Sequence, residues 1–61
     1  MTKYVLAVKL NRRKMYYRGM LGAGFPDLTD KVGGATLFDS RSDAESQSQM
    51  LCMAMTVEEV E

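Results

Sequence analysis

Apolar and polar side chains alternate with a period of two at the start of the chain. Tyr4, Leu6, Val8 and Leu10 fall on one side, and Lys3, Val5, Ala7 and Lys9 on the other. Successive side chains of a strand point to opposite faces, so this pattern predicts a strand with one strongly apolar face. The second face, with Val5 and Ala7 between lysines, is mixed and is expected to be partly covered. Asn11-Arg12-Arg13 supplies a turn, because Asn tolerates backbone angles that most residues avoid. Residues 14–18 resume a strand rich in β-forming aromatics, and the two segments are close enough to pair as an antiparallel hairpin.

Residues 19–34 interrupt the pattern. Gly19, Gly22, Gly24, Pro26, Gly33 and Gly34 crowd this stretch, a density of breakers that argues against a long regular element. Phe25-Pro26-Asp27 reads as a turn, and residues 29–32 as a single helical turn with Leu28 and Val32 pointing inward. Ala35-Thr36-Leu37-Phe38 then reads as a short strand running into a helix from Ser40 to about Cys52. Ser40 is a favoured N-cap and Asp43 stands three residues on, as in a capping box. Alternation returns at Met53, Met55 and Val57, which predicts a last strand over residues 55–60; a helix continuing to the C-terminus is the competing reading. The expected fold is a single α+β domain over residues 1–61. Its small antiparallel sheet has about four strands in the order β-β-β-α-β, with one helix packed on one face.

A chain of 61 residues makes a thin core, burying only about 60% of its unfolded surface. Disulfides or metals often compensate in small domains. Here Cys52 is the lone cysteine and histidine is absent, which rules out an internal disulfide and leaves no His–Cys set for zinc. A compact core or self-association remains, and Met50, Met53 and Met55 offer flexible apolar surface as a candidate interface, so a homo-oligomer is a plausible expectation. No apolar run approaches the ~20 residues of a membrane span. The start shows no signal-peptide core, and a lone thiol suits a reducing compartment, so the expected location is the cytoplasm.

Net charge is zero, yet the halves differ. Residues 1–34 carry seven bases against two acids, and residues 35–61 one base against six acids, or +5 and −5. Such a division implies a two-faced surface, head-to-tail contact between subunits, or a fold that interleaves the two halves.

Candidate chemistry gathers at the first hairpin, where Lys9, Arg12, Arg13, Lys14 and Arg18 surround Tyr16 and Tyr17. Guanidinium groups grip phosphates and carboxylates in two-pronged fashion, and a tyrosine ring can stack on a planar group. The site expected to bind a partner or a phosphate is therefore Arg12, Arg13, Lys14, Tyr16 and Arg18. By strand alternation Tyr17 belongs to the core and Tyr16 is the freer ring.

The glycines at 19, 22 and 24 match neither the dinucleotide fingerprint nor the P-loop. Asp39 and Asp43 suit the positive end of a helix better than a magnesium site, so no metal and no cofactor is expected. Glu58, Glu59 and Glu61 read as an acidic edge that discourages strand pairing. Cys52, in an apolar run, is expected to be buried and inert, and without histidine no Cys-His or Ser-His nucleophile exists. No catalytic residue is expected.

The succession Lys3-Tyr4-Val5-Leu6, Tyr16-Tyr17-Arg18-Gly19, Leu28-Thr29-Asp30, Ala35-Thr36-Leu37-Phe38-Asp39-Ser40, Asp43-Ala44-Glu45 and Val57-Glu58-Glu59-Val60 resembles the layout of small orphan accessory proteins of bacteriophages and prophages. In that layout Ala35, Phe38 and Ala44 are packing positions, and no catalytic residue carries over. The resemblance implies a phage protein of the host-cell cytoplasm that binds and blocks a host defence or regulatory component. A nucleic-acid-binding module built on the same basic hairpin, or an oligomeric trap for a nucleotide messenger, are the alternatives.

Overall fold

In the computed structural model, which describes residues 2–60, four strands and one α-helix are arranged along the chain. They are β1 (Lys3–Leu10), β2 (Arg13–Gly22), β3 (Phe25–Thr29), α1 (Arg41–Gln49) and β4 (Thr56–Val60). The strands form one antiparallel sheet in the spatial order β3-β2-β1-β4, the expected α+β arrangement with β-β-β-α-β succession. Among the described residues no helix is long and apolar enough to cross a membrane.

The first hairpin forms as the alternation predicts, from Leu10 opposite Arg13 to Ala7 opposite Tyr16. Its loop is Asn11-Arg12, with φ of 50° and 67°. Two positive φ values in a two-residue loop are the requirement of a type I′ turn, whose twist matches that of the strands it joins.

The third strand is not where the sequence placed it. Residues 25–29 form it, in the stretch expected to be irregular, and the turn lies at Ala23-Gly24 instead of Phe25-Pro26-Asp27. Glycines did not stop β2 because the ladder shifts register between Tyr17 and Gly19 and again between Met20 and Gly22, where bulges tolerate them. Pro26 is accommodated because β3 is an outermost strand, where one missing N–H costs little. The single helical turn expected at residues 29–32 is replaced by a short 3-10 turn at Val32–Gly34.

The apolar run at residues 35–38 has a different use. Beyond Ala7 and Tyr16 the first two strands part, and this run fills the fork between them. The Thr36 amide donates to the Tyr17 carbonyl at 2.9 Å, and the Thr36 hydroxyl to the Arg18 carbonyl at 2.7 Å. Phe38 exchanges two backbone bonds with Tyr4, at 2.8 and 3.0 Å. It thus makes one bridge, not a strand.

Ser40 then caps α1, its hydroxyl accepting from the Asp43 amide at 3.1 Å. The helix ends at Gln49, three residues short of expectation, through tight bonds from Met50 to Gln47 and from Leu51 to Ser48. A nine-residue helix is marginal alone, so the sheet must hold it. Leu6, Tyr17 and Ala44 form the buried centre between them, with Tyr4, Phe38, Leu51, Met55 and Val57 packed around it. The Tyr17 and Phe38 rings stack with centroids 6.1 Å apart, and the Tyr17 hydroxyl accepts from Gln47 at 3.2 Å. A buried phenol needs such a partner.

Leu6 has no exposed surface, whereas Leu21 at the far end of β2 is 74% exposed. Leu6→Ala is expected to cost about 2–5 kcal/mol, against less than about 0.5 kcal/mol for Leu21→Ala. Urea unfolding followed by circular dichroism checks this; equal midpoints for the two variants would contradict the assigned core.

Candidate partner-binding edge

Register assigns each residue of β1 and β2 to a face. The helix covers the side that carries Leu6 and Tyr17, so Val5, Ala7, Lys9, Lys14 and Tyr16 lie on the side without a helix. Val5 and Ala7 are nonetheless buried. Their cover is made of charged side chains. Lys14 stands opposite Lys9 and Glu58 opposite Val5, so the Lys14–Glu58 ion pair, at 2.6 Å, crosses above Ala7 between them. Long basic side chains bury their methylene stems in this way while the charge stays wet.

The expected site residues are therefore divided. Arg12 is at the turn. Arg13 falls on the helix side and reaches Asp30 only at 3.9 Å. Lys14 is engaged by Glu58, which holds its ammonium above the ordinary value of 10.5, the hydrogen bond being the larger cause. Tyr16 is half-buried, with the Lys14 ammonium 5.8 Å from its ring centre. Arg18 grips Asp27 through two nitrogens, at 3.0 and 2.9 Å. Asp39 pairs with Lys3, whose hydrogen bond keeps its carboxyl below the usual range. The two oppositely charged halves of the sequence thus meet in space at Lys3–Asp39 and Lys14–Glu58.

Among the described residues Lys9, Arg12, Lys31 and Arg41 have no carboxylate partner, Arg41 lying instead over the Tyr4 ring at 5.5 Å. Of these four only Lys9 and Arg12 stand together at one edge. They come together with Lys14 around an open notch of about 390 Å³, completed by Ala7, Val8, Thr56 and Glu58. Lys9 was legible as part of the basic cluster, but its place at the notch depends on where β4 begins, which periodicity alone does not give.

Met50, Met53 and Met55 do not form one surface. Met55 packs on the core, Met53 is half-buried, and Met50 is 67% exposed. Met50 lies by the second hairpin loop, where its carbonyl would sit 3.3 Å from a Cβ on Gly24. Cys52, expected to be buried, is exposed; it lies in a bend after the helix, where its amide bonds the Gly24 carbonyl at 2.9 Å. Glu59 is exposed on the outermost strand β4, as an acidic edge requires, while Glu61 lies outside the described residues.

The cover over Ala7 can be tested by separating charge from stem. Lys14→Met is expected to keep most of the melting temperature, and Lys14→Ala to lose more of it, even in 1 M salt. Because the folded Lys14 pKa is raised, the ion pair's contribution is complete below 10.5 and fades as pH rises through the folded value. Thermal melts should show a steeper alkaline decline for wild type than for Lys14→Met. Parallel declines would show that the pair adds nothing.

No known protein family, curated protein or solved structure matches the chain.

Proposed function

We propose that this chain is a non-enzymatic binding protein that engages an acidic surface of a partner protein through Lys9 and Arg12. It acts stoichiometrically, as a phage-type accessory protein that inhibits or sequesters a host defence or regulatory component. The observation that carries the reading is Arg12. It occupies the second position of a type I′ loop at φ 67°, where an L side chain costs roughly 1 kcal/mol and glycine costs almost nothing. The same position of the second hairpin loop is Gly24, at φ 83°. An unfavourable residue at an exposed tip, with no carboxylate on its guanidinium and Lys9 beside it, fits a contact made to something else.

The same census favours protein over nucleic acid as the partner. Nucleic-acid binding scales with the number of phosphates neutralised, typically about 6–10 for tight duplex binding. Four of the bases, Lys3, Arg13, Lys14 and Arg18, face carboxylates of this chain, and those acids would repel a phosphate backbone. Two free cations at one edge suit a short acidic segment.

Arg12→Gly is expected to raise the melting temperature by about 4–8 °C, as a gain near 1 kcal/mol does in a domain of this size, while weakening partner capture. In affinity capture from nuclease-treated bacterial lysate, wild type should retain a discrete protein that the Lys9→Glu/Arg12→Glu double variant loses. Capture unchanged by the reversal, or abolished by nuclease, would overturn the reading.

A further inference from the structure

We infer that the outer edge of β1 at Lys9 is a strand-docking site. There a short, extended, acidic segment of the partner protein bridges to the Lys9 backbone while its carboxylates meet the Lys9 and Arg12 side chains. The inference rests on the proposed function and adds to it the mode of recognition.

Backbone direction along β1 carries the argument. Tyr4 exchanges both of its backbone bonds with Phe38, on the side toward β2. A two-residue loop makes Leu10 and Arg13 a closing hydrogen-bonded pair, which again points an even-numbered residue toward β2. Lys3, Val5, Ala7 and Lys9 therefore point their N–H and C=O groups the other way. The first three meet Val60, Glu58 and Thr56 of β4. Lys9 is next in line, but β4 begins at Thr56, opposite Ala7. No backbone bond outside the strand ladders reaches Lys9 among the described residues. Its donor and acceptor thus open into the notch lined by Lys9, Arg12, Lys14, Thr56 and Glu58.

An unpaired strand edge is a template for an added strand, with main-chain bonds supplying affinity and side chains supplying selectivity. The Lys9 backbone asks for a donor and an acceptor together. A peptide offers both, whereas a phosphodiester offers acceptors only and leaves the Lys9 carbonyl unpaired. The free cations select acidic side chains on that peptide. A second copy of the chain is the poorer occupant, because two-fold pairing of β1 with itself places Lys9 and Arg12 against their own equivalents. The lane ends at Thr56, so the docked stretch is short.

The test uses the full chain and a synthetic blocked peptide alternating Val and Glu, followed by amide hydrogen exchange in NMR. In the free protein the Lys9 amide should exchange fast while Val5 and Ala7 are protected. With the peptide bound, the Lys9 amide should slow by about tenfold or more. A peptide of equal charge with proline at its centre should bind about tenfold more weakly, and Lys9→Pro should bind about tenfold more weakly than Lys9→Gln, which lacks the same ammonium but keeps the outward N–H. Should Lys9→Pro fail to fold, the proline peptide makes the same test from the ligand side. A slow Lys9 amide in the free chain would overturn the inference. Loss of binding in Lys9→Gln/Arg12→Gln, with the proline peptide binding as tightly as its parent and Lys9→Pro as tightly as Lys9→Gln, would overturn the bridge and leave the charge-based reading standing. Binding by all variants alike would end both. Tighter binding of single-stranded DNA than of the peptide, or dimerisation through this edge in sedimentation, would replace the partner peptide with those occupants.

Discussion

The whole structure depends on burying both faces of β1 with only one helix to do it. Val5 and Leu6 are the two largest fully buried side chains, and they point to opposite sides of the sheet. A chain of this length has one nine-residue helix, and it lies on the Leu6 side. The Val5 side is closed instead by small residues at the centre and charged side chains laid across them. Ala7 is small enough for the Lys14–Glu58 pair to pass above it, and Arg18–Asp27 ties the next strands on that face. Exposed ion pairs contribute little as electrostatics. Their value here is as fixed cover for apolar surface.

The same constraint shapes the fork between β1 and β2. A sheet that curls around one short helix cannot keep every strand paired along its full length. The strands separate after Ala7 and Tyr16, and the freed backbone groups need partners. Residues 36–38 supply them, through Thr36 to Tyr17 and Phe38 to Tyr4. This insertion places the Phe38 ring on Tyr17 and leaves Ser40 in extended backbone to cap α1. One short segment therefore satisfies the sheet, fills the core and starts the helix.

Much of this was legible in the sequence, and the rest was hidden for definite reasons. Alternation at residues 3–10, the aromatic second strand, the Ser40 cap and the final strand all report local physics, and they fold as read. The third strand was missed because glycine and proline were taken as breakers, whereas bulges and an edge position absorb them. Residues 35–38 have the composition of a strand but complete two diverging strands, a role set by long-range geometry. The basic cluster was visible as a group. Which of its members are consumed internally depended on Asp27, Asp30 and Glu58 arriving from elsewhere in the chain, so the free pair Lys9 and Arg12 emerged only in three dimensions.

Why β4 starts late enough to leave Lys9 open follows from how its approach is tethered. After α1, the Cys52 amide is drawn to the Gly24 carbonyl at the second hairpin loop, at the end of β2 away from Arg12. The Met55 carbonyl then accepts from the Ser48 hydroxyl at 3.5 Å, which keeps the last connecting residue against the helix. A chain held at those two points joins the sheet only at Thr56, one pairing position past Lys9. Ala54, the residue that would otherwise face Lys9 in the continued register, is outside the ladder and exposed. The gap is thus a consequence of two specific bonds and not of a fraying terminus. It lies beside Arg12, one of three non-glycine residues with positive φ among the described residues. A vacant pairing position and two neighbouring cations without a carboxylate partner meet at the same place, one of them on a positive-φ turn residue, which is why the proposed recognition is centred on that edge and not on the basic cluster as a whole.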